Sequence, residues 1–435
     1  MSKASLWLAP VCAAAFLISC DAWNGGEVGL APPPAAPWSG VEQFGTAAAD
    51  SAQAVAVDSS GNVYVTSIDN QSVVVRKFSS GGSLSWTSTP VDIGMPGIGI
   101  DVFRIALSPT AVYVSGFTSI VLDNTGLGMG GAVDGVVLKF NLSGARVGTL
   151  QIRESVGLTH IRGIAADASD VIYIGGHHDF QQSLVAKYDW SGASPSQSWI
   201  TRYGTPGDRD AVFGLALGNG LIHVVGPMGA PPASGFYIAR FSTSTGAQSG
   251  ATILGNVSGG NDDVFGVAAD SLNNTYVAGG TDNNFAGANA GGEDVIAAKY
   301  DAAGNNVWRY QIGSARSESA NSIALSGTSV YVAGTTGGQF GGQLNKDPGL
   351  STSDAFLIKL PNASTGPTVT ADWVRMYGST GSTVAFNDQA TGVATDPSGN
   401  IFMVGNAVGF METATQVLGN GDGYVLKVSP AGVLQ

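Results

Sequence analysis

The stretch 54-AVAVDSSGNVYVTS-67 decides the fold, because it returns in altered form six more times before Gln435. Aligned on a central triplet, the copies read VYV at 63–65, VYV at 112–114, IYI at 172–174, IHV at 222–224, TYV at 275–277, VYV at 330–332 and IFM at 401–403. The middle residue is aromatic in six copies and is His223 in the fourth. Three residues further on stand Ser67, Gly116, Gly176, Gly226, Gly279, Gly334 and Gly405. A phrase said so often is architecture before it is chemistry.

Each copy carries a small-residue strand upstream, such as AVAV at 54–57, GLAL at 214–217, GVAA at 266–269 and GVAT at 392–395. Turns such as Asp58-Ser-Ser-Gly-Asn62 and Asp396-Pro-Ser-Gly-Asn400 join it to the central strand, the Asp bonding nearby backbone and the Gly accepting positive φ. A third strand follows, reading VVRKF, VVLKF, LVAKY, YIARF, IAAKY, FLIKL and YVLKV. Its basic position holds Lys77, Lys139, Lys187, Arg240, Lys299, Lys359 and Lys427. A fourth element often follows with Trp86, Trp199, Trp308 or Trp373, leading toward a glycine such as Gly204, Gly313 or Gly378. Four short strands per unit, at a mean period of about 57 residues, predict an all-β chain folded as a seven-bladed β-propeller of four-stranded antiparallel blades over residues 38–435. Consecutive apolar positions mean that both faces of each sheet are covered. The Tyr64-type ring is expected to face one neighbouring blade and the Val63/Val65 pair the other, with the small residues of the first strand at the axis.

The phrase D-x-A-x-G-V-A-x-D-x-x-G-N-x-Y-V-x-G, followed by D-A-F-L-x-K and a Gly turn with Trp, resembles the bacterial seven-bladed β-propeller repeat family (SBBP) and, more distantly, NHL repeats. The match is closest around Gly61, Asn274, Lys299 and Gly399, while copies two and four lack the Trp and the full Asp-x-x-Gly-Asn turn. The resemblance implies a propeller scaffold of exported proteins and no shared enzymatic activity.

Closure of the ring is encoded at the two ends. Copy seven finishes SPAGVLQ, where GNNVW and GSLSW of other copies reach their Trp. The missing piece stands at Trp38-Ser-Gly-Val-Glu-Gln-Phe44-Gly45, which reproduces the spans from Trp199 to Gly204 and from Trp373 to Gly378. Residues 38–44 are therefore expected to form the outer strand of the last blade, beside 423–428.

Before this body lie two other segments. Residues 1–19, with an apolar run from Leu6 to Ile18 too short for a resident membrane helix, have export-signal anatomy. Leu17-Ile18-Ser19-Cys20 resembles the bacterial lipobox, which implies acylation of Cys20; the alternative is an ordinary secretory cleavage nearby. With Cys12 leaving in the signal, Cys20 has no disulfide partner, and acyl chains on it would hold the protein at a membrane surface. Asp21 resembles an inner-membrane sorting residue of some Gram-negative systems, and the membrane and leaflet stay open. Residues 20–37, rich in Gly, Pro and Ala, read as a lipidated tether, giving an extracytoplasmic, envelope-bound protein.

Charged residues make up 12% of the chain, about half the usual share, and its 63 glycines are about double it. With 32 acidic residues against 19 basic ones and a formal charge of −13, a nucleic-acid surface is excluded and electrostatic partners should be cationic.

For chemistry, the chain offers neither a G-x-S-x-G elbow nor a P-loop, so no catalytic residue is assigned. Six positions before a recurring Ala of the first strand lie Asp50, Asp210, Asp262, Glu318 and Asp388, with Asp101 displaced by one and Thr159 interrupting. In a propeller these converge near one mouth of the channel. Two readings stand: carboxylates accepting backbone N–H bonds at strand entry, or a ring of hard oxygen ligands suited to Ca²⁺ or another cation. The basic ladder, preceded at five residues by Asp134, Asp294, Asp354 and Asp422, reads as salt-bridge or backbone bonding between blades, with an anion site as the alternative. His223 reads as a packed core ring. His177-His178-Asp179 reads as a polar loop, with metal ligation as its alternative. The expected function is a non-enzymatic binding or scaffold module meeting a protein or glycan through long loops such as 283–294 and 336–354. The rival is a metal-dependent hydrolase or lyase working in the channel.

Overall fold

A computed structural model of the chain describes Trp38 and residues 40–94, 104–122, 133–153, 159–178, 182–204, 211–228, 235–255, 262–344, 346, 352–380, 387–414, 417–419 and 421–435. Cys20, the tether, Asp101, Asp179 and Asp210 lie outside these residues. Contacts divide the chain into Met1–Ala35 and Ala36–Gln435, and the second unit is the propeller.

Seven antiparallel sheets follow one another in chain order, each with its first strand innermost. In blade 1 these are Asp50–Val57, Val63–Asp69, Ser72–Phe78 and Leu84–Thr87, with a short extra strand at Val91–Asp92. Blades 2 to 6 begin at Arg104, Thr159, Gly214, Asp262 and Glu318. Blade 7 comprises Gln389–Thr395, Ile401–Ala407 and Asp422–Val428, and its fourth strand is Val41–Phe44 from the other end of the chain. Val41 lies opposite Leu426 and Phe44 opposite Gly423, as expected for a ring fastened first to last. Gly40 N–H also donates to the Gln435 carbonyl at 2.9 Å.

The two faces of each second strand divide as read from the sequence. Tyr64 packs with Val112, Val114, Val136 and Phe140 of blade 2, while Val63 and Val65 pack with Phe402, Val404 and Val425 of blade 7. The recurring glycine has a close-approach cause. A Cβ at Gly405 would lie 1.7 Å from the Gln389 carbonyl, and at Gly334 2.0 Å from the Ser319 carbonyl. At that level the innermost strand bulges, between Ala390 and Gly392 in blade 7 and between Ala320 and Ser322 in blade 6. The bulge presses its backbone onto the second strand and re-aims the extra residue. In blades 1, 3, 5, 6 and 7 that residue is Gln53, Arg162, Phe265, Asn321 and Thr391.

Outer-strand tryptophans bridge to the next blade. Trp86 donates to the Leu142 carbonyl at 2.9 Å and Trp373 to the Pro430 carbonyl at 3.3 Å. Trp38 does the same for blade 7, donating to Ser80 of blade 1 at 3.1 Å and packing between Phe78 and Phe402. Blade 2 solves the problem in reverse. Gly148 stands opposite Lys139, where Trp308 stands opposite Lys299, and the space is filled by the fully buried Trp190 from the blade 3 turn.

Candidate functional site

The strand-entry acids are the first group the sequence singles out. Asp50 accepts from Thr46 N–H, from the Thr46 hydroxyl at 3.2 Å and from Asn70 N–H at 2.8 Å. Glu318 accepts from Ser314 N–H at 2.7 Å, the Ser314 hydroxyl at 2.6 Å and the Thr336 hydroxyl at 3.2 Å. Asp388 accepts from Ser379 N–H, the Ser379 hydroxyl at 2.9 Å and Val408 N–H at 3.2 Å, while Asp262 accepts from the Thr281 hydroxyl. Thr46, Ser314 and Ser379 each follow the outer strand of the preceding blade. Asp50, Glu318 and Asp388 thus tie that exit to the end of their own blade's second strand, which is strand-entry bonding carried from blade to blade. Burial pushes the Glu318 carboxyl up from its ordinary range, against the pull of its Ser314 bonds. Among the described residues no three His, Cys, Asp or Glu side chains gather as a metal site.

The basic ladder joins blades through backbone carbonyls. Lys139 donates to Trp190 O at 2.6 Å, Lys299 to Asn362 O at 3.3 Å and Oδ1 at 3.0 Å, and Arg240 to Asp301 O at 2.7 Å. The stems of Lys77, Lys139, Lys187, Lys299 and Lys427 cross a ring on the adjoining strand, with Lys299 Nζ 5.2 Å from the Tyr276 centroid and Lys77 Nζ 5.1 Å from that of Tyr64. The acids five residues upstream are not its partners. Asp134, Asp294 and Asp422 begin the third strand, five residues of extended chain away, and accept instead from Gln151, Gln311 and Gln43 of the outer strand, each at 2.8 Å. This recurring glutamine escaped the sequence reading, although Leu-Gln-Ile, Tyr-Gln-Ile and Glu-Gln-Phe carry it at one register position.

His223 is a packed ring, fully buried with Nδ1 2.8 Å from the Thr275 hydroxyl, and burial holds its pKa down to about 4. His177 and His178 are not a loop: they end the strand Val171–His178. Successive strand residues face opposite ways, so the two rings do not converge on one ion. His177 is fully buried, 5.1 Å from the His160 ring and 6.4 Å from that of Phe213, and burial with the nearby Arg162 charge holds it down to about 2.

Among the described residues, side chains from all seven blades meet at the axial cavity, of about 140 Å³. Its lining holds two charged residues, Arg104 and Arg162, together with Asn321, Ser322 and otherwise apolar or glycine positions. The innermost-strand position of Arg104 carries Ala54, Gly163, Gly214, Gly266, Ser322 and Gly392 in the other blades. Smallness there is enforced: a Cβ at Gly163 would come within 2.6 Å of Leu215 Cβ, and at Gly266 within 3.1 Å of Ile323 N. Arg104 is the single departure. Sequence reasoning passed over it because attention went to what repeats.

No curated protein matches the chain. Among solved structures it is similar to virginiamycin B lyase from Staphylococcus aureus, with 10% identity, a TM-score of 0.47, and 88% of this chain and 98% of that one covered. It is also similar to the polysaccharide lyase Uly1 (8%, 0.47, 87% and 89%) and to Sqt1 of Saccharomyces cerevisiae (10%, 0.47, 92% and 98%). Residues 41–67, which span the closing strand, the innermost strand of blade 1 and most of its second strand, match the SBBP family model, a β-propeller repeat.

Proposed function

We propose that the chain is a lipid-anchored, non-enzymatic propeller acting as a binding or scaffold module at the cell envelope. The observation that carries this reading is where its polar side chains are committed. Recurring acids, lysines and glutamines such as Asp50, Lys299 and Gln311 hold blade to blade or strand to strand, which stiffens the ring, whereas the connections between second and third strands differ from blade to blade in length and sequence. The connection of blade 5 is built rather than slack. Gln311 Oε1 accepts from the N–H groups of Phe285, Ala286 and Gly287 at 2.7, 2.8 and 3.1 Å, so its surface is preorganised for contact. On blade 6, Leu344 is 69% exposed, an apolar anchor for a protein or glycan partner. The anchor itself rests on Leu17-Ile18-Ser19-Cys20.

Two measurements test the proposal. Cells fed labelled fatty acid should label the wild-type protein and not Cys20→Ser; an unlabelled wild type rules out the anchor. Crosslinking from membranes should capture a partner that is lost when residues 283–294 and 336–354 are replaced by short Gly-Ser turns. A partner captured equally by both forms removes the loops from the account.

A further inference from the structure

We infer that the outer seam between blades 4 and 5 is a binding site for an indole ring carried by a small molecule, which takes the place that a tryptophan of the chain fills at the other seams. This goes beyond the envelope-binding role and does not depend on it. Three features of the geometry carry it.

The first is a break in the tryptophan series. Among the described residues six seams hold one indole each: Trp38 between blades 7 and 1, Trp86 between 1 and 2, Trp190 between 2 and 3, Trp199 between 3 and 4, Trp308 between 5 and 6, and Trp373 between 6 and 7. In blade 5, Ala297 stands opposite Tyr310 and Lys299 opposite Trp308. The blade 4 counterpart of Ala297 is Ile238, which stands opposite Ile253, so the ring's place two residues earlier falls on Ala251. Blade 2 repairs the same loss with Trp190. The lining of the cavity left between blades 4 and 5 contains no aromatic residue.

The second is that cavity's size and walls. It measures about 310 Å³, between Leu221, Arg240, Ala251 and Ile253 of blade 4 and Ala302 and Gly304 of blade 5. At filled seams the ring lies against the turn glycine of the next blade: a Cβ at Gly246 would come within 2.5 Å of Trp199, and one at Gly144 within 2.7 Å of Trp86. Gly304 makes the same turn at φ 92°, and a Cβ there would meet only Ile253, at 3.1 Å. An apolar cavity of about 150 Å³ suffices to bind benzene, so this one has room for a second fused ring.

The third is that the polar contacts of an indole are in place. At the seam between blades 6 and 7 the Pro430 carbonyl accepts from Lys359 Nζ and from Trp373 Nε1, each at 3.3 Å, which a carbonyl's two lone pairs allow. Ala302 holds the same place in the turn of blade 5, where Gly304 N–H donates to Asp301 as Gly432 N–H donates to Ser429. Its carbonyl accepts from Arg240 Nη1 at 2.5 Å, the counterpart of the Lys359 bond, and the second lone pair is left for an indole N–H. Arg240 is further fixed by Asp301 O at 2.7 Å and the Thr275 hydroxyl at 3.1 Å, so its guanidinium is a set plane beside the guest's π face. Lys139 Nζ, 5.8 Å from the Trp190 centroid, makes that pairing between blades 2 and 3. The guest is a free molecule because the strand edge is already taken: Ser249 N–H donates to Arg240 O at 2.7 Å, where a partner's backbone would have to pair.

The test is equilibrium dialysis of the full chain in detergent against labelled indole, with protein-free detergent as the blank. We expect one saturable site per chain, half-filled at about 1 mM or below. The analogue 1-methylindole, which lacks the N–H, should bind about fivefold more weakly or worse. Ala251→Trp supplies the missing ring from the chain, and should weaken indole binding by about tenfold or more while raising the melting temperature. Ala251→Leu, a smaller filling that serves if the larger one disturbs the fold, should weaken binding about threefold. Uptake no greater than the blank, wild-type affinity in both variants, or equal affinity for indole and 1-methylindole would overturn the inference. So would a Gly-Trp-Gly peptide that binds about tenfold more tightly than indole, because the guest would then belong to a partner chain.

Discussion

Removing residues 21–37 should leave the propeller's stability nearly unchanged, whereas removing residues 21–44 should lower it by an amount that the closing strand sets. Trp38 and Val41 are each only 6% exposed, Trp38 in contact with Phe78 and Phe402 across the seam between blades 7 and 1. At about 25 cal/mol per Å², burying roughly 200 Å² of Trp and a Val side chain contributes about 6–7 kcal/mol as an upper value. Loss of the strand also strips Asp422 of its Gln43 bond and leaves Asp422–Val428 as an open edge. For roughly 400 residues the unfolding entropy is about 0.8 kcal/mol per degree, so the shorter form should melt about 7–9 °C lower. Trp38→Ala in the longer form, at about 3–5 kcal/mol, should account for roughly half or more of that shift. Calorimetry at one scan rate, with gel filtration to detect association through the open edge, supplies the comparison. Equal melting of the two truncated forms would show that the 41–44 pairing does not couple the blades, and the closure argument would fail.

The remaining predictions concern the ring's internal joints. Lys299→Met keeps the stem while removing the bonds to Asn362 and the charge over Tyr276, and should cost about 1–2 kcal/mol in urea unfolding; a neutral result would deny the ladder its role between blades. Gly405→Ala, with its methyl aimed at the Gln389 carbonyl, should cost about 1–3 kcal/mol, whereas Ser67→Gly at the same level of blade 1 should cost under about 1 kcal/mol; similar losses would mean the bulge is not what demands the glycine. Glu293 tests the acidic side of blades 5 and 6: burial, helped by the charges of Asp263, Asp282 and Glu318 and opposed by a bond from Ser319, lifts its carboxyl from 4.5 to about 7. Its folded pKa exceeds its unfolded one, so its stabilising contribution is complete below about 4.5 and fades as pH rises through about 7, a swing of up to about 3 kcal/mol. Glu293→Gln should therefore flatten the melting profile between pH 5 and 8 and exceed wild type at pH 8; parallel profiles would remove Glu293 as the titrating group.

Periodicity made the fold readable, and the same property hid the cavity. A position that performs one job in seven blades shows itself by recurring, as the Tyr64 series, the Lys77 series and the glycine at the bulge do, and an absent copy of a recurring element points to its replacement, as Trp38 does. Two kinds of information are lost to that method. Compensation between blades is one: Gly148 and Trp190 make sense only together, and they lie in different repeats, one on an outer strand and one in a turn, joined by a packing contact that no single repeat contains. Register along a strand is the other. The acids before the third strand look like partners for the lysines five residues on, but an extended chain carries them to opposite ends, and the partner is a glutamine on the adjacent strand. Likewise His177 and His178 look like a pair in sequence and are parted by the pleat. Arg104 belongs to a third category, a departure from the repeat rather than an instance of it. At its level the other six blades hold Ala, Gly or Ser, and a method that reads recurrence passes over the one position that differs.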